Sequence, residues 1–200
     1  MLRSTMAFES VRSSPSYQRP DLLERAWTLP VARMYRPLLS QGFTSLCGPT
    51  SVANVLRSVQ APAGRNPLRG FGVRAMSLDQ LVSESARVMP SGWEVRAVRP
   101  QTLDELRVEL RGSNDESRRY ITNFARSSLF GGGSGHHSPV GGYLEDEDLA
   151  FVLDVNSGFG PWLVHSQRLF DAMSTTADWS TGQTRGLARF ERGPGASSTG

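Results

Sequence analysis

The chain holds a single cysteine, Cys47, and three histidines, His136, His137 and His165. A thiol becomes a useful nucleophile as its thiolate, and attack on a carbonyl needs an imidazole to carry the proton, held in the right tautomer by a third group. The local pattern suits that chemistry. Gly48-Pro49-Thr50 follows Cys47 and leads into Val52, Val55, Leu56 and Val59, a helical spacing with proline near the first turn. Cys47 is therefore expected at a helix N-terminus, where free backbone N–H groups and the positive end of the helix dipole favour thiolate over thiol. A solitary cysteine otherwise behaves as a small buried hydrophobe, so the assignment depends on finding its base.

His136 and His137 follow Gly131-Gly132-Gly133-Ser134-Gly135, a backbone that lets a substrate approach closely. Asp154 stands near the end of the apolar run 149–155, where a carboxylate is costly unless paired. If residues 137–144 and 149–155 form a hairpin, positions 136 and 154 become neighbours and Asp154 can orient an imidazole. Spacing alone leaves open which of the two adjacent histidines serves. Two rival readings fail. The glycine-rich segment lacks the Gly-Lys-Ser/Thr ending of a phosphate loop, and two adjacent histidines with one distant cysteine do not have zinc-site spacing, so no metal ligands are assigned. Glu145-Asp146-Glu147-Asp148 reads as a solvated hairpin turn, since a calcium loop places its ligands at alternate positions.

The elements that must position these groups can be outlined. Helices are predicted over 78–89 and 103–110, because Ser77 with Gln80 and Thr102 with Glu105 have capping-box spacing. Strand-like alternation over 119–124 follows, then the segments 137–144 and 149–155. A helical first half and an antiparallel sheet in the second half describe an α+β domain. Residues 21–192 are expected to form a single catalytic domain, with 61–72 as a surface loop. Residues 1–20, polar with Pro15 and Pro20, and the low-complexity stretch 193–200 are expected to be poorly ordered.

Composition excludes several classes. A hydrophobic fraction of 38% and a net charge of +3 fit an ordinary globular protein rather than a disordered or membrane one. All 22 basic residues are arginines, scattered among acids instead of forming a run, which argues against a nucleic-acid partner. One cysteine cannot close an intramolecular disulfide. No apolar stretch reaches the ~18 residues of a membrane span and the N-terminus lacks a signal's apolar run, so a cytoplasmic location without a membrane partner is expected. A homodimer is compatible with the sequence.

Four segments, in order, resemble the catalytic domain of phytochelatin synthases, papain-like enzymes that act on glutathione. They are Gln41-Gly-Phe-Thr-Ser-Leu-Cys47-Gly48-Pro-Thr-Ser, then Gly135-His136-His137-Ser138-Pro139-Val-Gly141-Gly142-Tyr143, then Leu153-Asp154-Val155, and lastly Asp178 through Thr184-Arg185-Gly186. The second is similar to the family's Gly-His-Phe-Ser-Pro-Ile-Gly-Gly-Tyr run, with His137 in place of its Phe. The resemblance spans about residues 23–190. It implies a papain-like fold and a Cys47, His136, Asp154 triad. It also implies an oxyanion hole formed by the Gln41 amide and the Cys47 N–H, and substrate contacts at Arg126, Asp178, Arg185 and Gly135.

By the same resemblance, the Cys47 thiolate attacks the Cys–Gly carbonyl of glutathione, His136 protonates the departing glycine, and a γ-glutamylcysteinyl thioester remains. Water or a second glutathione then accepts the acyl group. A catalytic domain without the Cys-rich C-terminal region of plant members is expected. No cofactor is required, and cadmium or zinc is expected to enter as the metal–thiolate form of glutathione. Two alternatives stand beside this expectation: a related papain-like peptidase acting on another peptide or conjugate, and a non-catalytic binding module. Against the latter stands the joint presence of Cys47, His136, Asp154 and Gln41.

Overall fold

Prolines open the first two helices of the computed structural model, α1 (Pro20–Thr28) and α2 (Pro30–Met34), at positions whose N–H would have no intrahelical partner. The structure describes residues 8–68, 70, 74–178 and 182–193. Within α3 (Cys47–Ser58) every residue but Arg57 is buried, so this helix is enclosed by the rest of the chain. Its polar side chains are correspondingly matched. Asn54 donates to Leu39 O and accepts from Leu39 N, at 3.0 and 2.8 Å, and the Ser51 hydroxyl donates to His137 O at 3.1 Å. The last bond ties the helix to the sheet beside the candidate nucleophile.

The predicted capping boxes behave differently from one another. Helix α4 (Leu78–Val88) has both halves, with Gln80 N–H on Ser77 Oγ and Ser77 N–H on Gln80 Oε1. At α5 (Leu103–Gly112), Thr102 accepts from Glu105 N–H, but the Glu105 carboxylate reaches one residue further back, to the N–H of Gln101.

The sheet is antiparallel and six-stranded, in the order β1-β8-β2-β3-β4-β5. These strands are β1 (Trp93–Val98), β2 (Arg118–Ala125), β3 (Gly135–Leu144), β4 (Leu149–Val152), β5 (Trp162–His165) and β8 (Gly186–Arg192). A two-stranded ribbon, β6 (Thr176–Asp178) with β7 (Gln183–Thr184), precedes β8. The expected hairpin is β3 with β4, joined by a 3-10 turn at Glu145–Glu147 and Asp148 in the left-handed region. Asp148 accepts from Arg107 Nε and Nη2, Tyr143 and Ser166, and these bonds outweigh burial to hold its carboxyl at about 2.

The order of helices first and antiparallel sheet afterwards is present, with three features that were not foreseen. Strand β1 lies in the half read as helical, because Trp93, Val95 and Ala97 alternate with Glu94 and Arg96 and cover one edge of the sheet against β8. In the half read as sheet, α6 (Arg126–Phe130) and α7 (Ser166–Met173) each follow directly from a strand. Within 1–20, residues 8–20 are placed, with Val11 and Tyr17 buried and Leu163 N–H bonded to Tyr17 O. The remainder, 1–7, and residues 194–200 lie outside the described residues.

Strand alternation divides the core between the two faces of the sheet. Ile121, Ala188, Phe190, Phe151 and Leu163 pack with α1 to α4, while Tyr120, Phe124, Val140, Trp162 and Leu187 pack with α5 and α7. Among the described residues no helix is long and apolar enough to cross a membrane. At Gly186 the sheet is closed so tightly that an added Cβ would fall 2.4 Å from Val98 O. Gly186→Ala is expected to cost ~1–3 kcal/mol of stability through forced separation of β1 and β8, read as a lower urea midpoint with an unchanged slope.

Candidate active site

Cys47 closes the 3-10 turn Thr44–Leu46 and begins α3, so its side chain sits at the N-terminal end of a twelve-residue helix. It lines a cleft of about 460 Å³ with Ser45, Met76, Asn123, His137 and Arg185. The thiol is buried at 8% exposure, and the helix and sheet face each other across it.

Both adjacent histidines engage this thiol. His137 places Nδ1 3.8 Å from Cys47 Sγ, and its Nε2 lies 3.0 Å from Asn123 Nδ2. His136, paired in register with Phe124 on β2, lies 3.0 Å through Nε2 from Asp154 Oδ1. Burial pushes the Cys47 thiol up, but its hydrogen bonds to His136 and His137 outweigh burial and bring it down to about 5. Burial likewise works against a charged His136, and the bonds to Asp154 and Cys47 prevail and raise its pKa. The Cys47 thiolate and a protonated His136 therefore stabilise each other.

Asp154 is the most heavily satisfied group of the site. Besides His136, its carboxylate accepts from Arg126 Nη2 at 2.8 and 3.0 Å, Trp162 Nε1 at 2.9 Å and the N–H of Asn156 at 2.9 Å. Burial alone would raise its pKa; His136, Arg126 and Trp162 together lower it.

The remaining expected site residues are placed as follows. Arg126, expected to contact substrate, is buried against Asp154 with its guanidinium 3.8 Å from the Phe159 ring centroid, and so is held by the core rather than presented to the cleft. Arg185 does line the cleft. Its Nε donates to Thr175 Oγ1, burial lowers its pKa, and no carboxylate stands against it among the described residues. Gly135 leaves room for it, since a Cβ at that position would displace the Arg185 guanidinium from its present seat. The N–H of Gln41 is bonded to Val155 O, which fixes the segment before Cys47 to the residue after Asp154, and its side-chain Oε1 is buried without a partner. Asp178 ends β6, and its side chain lies outside the described set, as do residues 179–181. Among the described residues, no group of three or more His, Cys, Asp or Glu side chains could hold a metal ion.

Asn123 and Trp162 belong to this site and were not singled out from sequence. An asparagine inside the apolar strand 120–125 was the available signal for the first, since a buried amide must be bonded.

The family model for phytochelatin synthase matches residues 72–187, which include His136, His137 and Asp154. This chain belongs to the phytochelatin synthase family. Among curated relatives it is 32% identical over 177 residues to glutathione gamma-glutamylcysteinyltransferase 2 of Arabidopsis thaliana, covering 78% of this chain and 39% of that protein. It is 30% identical over 171 residues to glutathione gamma-glutamylcysteinyltransferase 1 of Triticum aestivum, covering 76% and 34%. The chain thus spans well under half the length of these phytochelatin synthase relatives.

Solved structures share the fold. The peptidase domain of Streptococcus ComA superposes with a TM-score of 0.51 at 18% identity, over 78% of this chain and 98% of that domain. A double-glycine motif protease from an AMS/PCAT transporter, solved with its leader peptide, gives 0.51 at 15%, over 78% and 91%. The α+β, papain-like architecture expected for a phytochelatin synthase family member is therefore present, with a Cys47–His137 pair facing its cleft.

Two outcomes are expected from this geometry. The rate of Cys47 alkylation by iodoacetamide should rise through pH about 5 and level off by neutrality, because the low pKa makes the thiolate the majority form above that point. Asp154→Asn should cost about 3–5 kcal/mol of stability, since Arg126 would then be buried without its counter-ion; chemical denaturation reads the loss.

Proposed function

We propose that the chain is a cysteine acyltransferase or peptidase that takes glutathione as acyl donor. The observation that carries this reading is the Cys47 thiol, placed at a helix N-terminus inside a cleft with a histidine nitrogen 3.8 Å away. Such a group is a nucleophile at neutral pH. The glutathione gamma-glutamylcysteinyltransferases among its relatives support the substrate.

In the proposed reaction the thiolate attacks the carbonyl of the Cys–Gly bond. The Cys47 N–H and the Gln41 amide meet the developing oxyanion. His136, its Nε2–H held by Asp154, delivers the Nδ1 proton to the departing glycine amine. A γ-glutamylcysteinyl thioester remains on Cys47. Water resolves it to γ-glutamylcysteine, whereas the amine of a second glutathione yields a phytochelatin. Arg185, a half-buried cation on the cleft wall, suits a substrate carboxylate. Cadmium or zinc would enter as the metal–thiolate form of the substrate.

A second reading has one observation in its favour: His137, not His136, lines the cleft beside Cys47. It makes His137 the base and Asn123 its orienting group. A single experiment separates the two. The purified protein is incubated with glutathione, with and without cadmium, and glycine, γ-glutamylcysteine and phytochelatin are followed by mass spectrometry. Cys47→Ala should abolish glycine release and the adduct on residue 47. His136→Ala should reduce release by about 10²–10⁴-fold, with His137→Phe falling far less. The reverse order would establish the His137 reading. No glycine from folded wild type under either condition would remove glutathione as donor and leave a related peptidase with another substrate.

A further inference from the structure

The two histidines at Cys47 are backed by opposite kinds of group. Behind His136 stands a carboxylate, which can only accept, so Nε2 carries the proton and Nδ1 is left bare for the thiol proton. Behind His137 stands the Asn123 amide, and its orientation is fixed independently. Asn123 Nδ2 lies 3.3 Å from the carbonyl oxygen of His136 and 3.0 Å from His137 Nε2. Turning the amide over would set its oxygen against that carbonyl, acceptor facing acceptor. With the donor held in place, His137 Nε2 has to accept, and a second proton there would face the Asn123 N–H. The ring's own proton is then on Nδ1, the atom 3.8 Å from Cys47 Sγ.

We propose that His137 is a second catalytic residue at Cys47, acting as a hydrogen-bond donor through Nδ1–H rather than as a base, and that Asn123 is the positioning residue that sets this tautomer. The inference rests on the reading of Cys47 as nucleophile. His136 takes and returns the proton; His137 keeps its own throughout. It stabilises the thiolate before attack, and again when the thioester opens and the thiolate leaves as the C–S bond breaks. The groups facing His137 are Cys47 from α3, Asn123 from β2, Arg185 before β8 and, across the shared thiol, His136. No carboxylate lines this side of the cleft among the described residues.

The test has two readouts that need no substrate. In ¹⁵N-labelled wild type, with the His137 signals assigned by their loss in His137→Phe, Nδ1 should show a pyrrole-type shift and Nε2 a pyridine-type shift. Asn123→Asp replaces the amide donor by an acceptor and should move the pyrrole-type signal to Nε2. The pH profile of Cys47 alkylation should shift upward by about one unit in His137→Phe, for one charge-assisted hydrogen bond lost. Glycine release should then fall about tenfold at pH values below the shifted limb and recover above it. A pyridine-type Nδ1 in wild type, or an alkylation limb unmoved by His137→Phe, would overturn the proposal. Should His137→Phe not fold, Asn123→Asp with the wild-type spectrum still decides the tautomer. Absence of glycine from wild type would remove glutathione alone and leave both substrate-free readouts standing.

Discussion

A carboxylate with no exposed side-chain surface has to be surrounded by donors, and at Asp154 four separate pieces of chain supply them. His136 comes from β3, Arg126 from the start of α6, Trp162 from β5 and the Asn156 N–H from the following turn. Each donor is itself held elsewhere: Trp162 stacks on Tyr17 and meets Phe124 and Phe130 edge-on, and Arg126 lies over Phe159. One buried charge therefore links the aromatic core to the orientation of an imidazole at Cys47. Loss of that charge would leave Arg126 unpaired in the same apolar surroundings.

The site forms where two layers meet. Helix α3 supplies the thiol, and the first residues of β3 supply both rings. The bond from Ser51 to His137 O, with that from Gln41 N–H to Val155 O, fixes the spacing of helix and sheet around the thiol. Such cross-layer bonds matter because a helix and a sheet packed through apolar side chains alone have no specific register. Arg185 completes the wall from a third place, the end of the small β6–β7 ribbon, with Gly135 giving it room.

Much of this was legible in residue patterns because the signals are local. Pro49 near the first turn marked the helix behind Cys47, Ser77 with Gln80 marked α4, and the acidic turn at 145–148 marked the hairpin that brings 136 near 154. The miss at β1 was different in kind. Its alternation, Trp93, Val95 and Ala97 against Glu94 and Arg96, was present, but its partner β8 lies about ninety residues away, and non-local pairing leaves no trace in a short window. Arg126 shows a related limit: sequence gives an arginine near the site without showing that a buried carboxylate pairs with it. The two histidines were hardest. Strand alternation would send neighbours to opposite faces, and only the position of the thiol at the strand's beginning lets both rings reach it.

The thiol's low pKa belongs to the folded arrangement and not to the residue. Once α3 and β3 separate, Cys47 reverts to an ordinary thiol of pKa ~8.5. Near pH 6 unfolding would then make this cysteine less reactive, the reverse of a buried structural cysteine, which unfolding exposes. Labelling at mildly acidic pH would thus count native molecules, and the Cys47 sulfur would serve as an internal gauge of how much of the population holds its helix against its sheet.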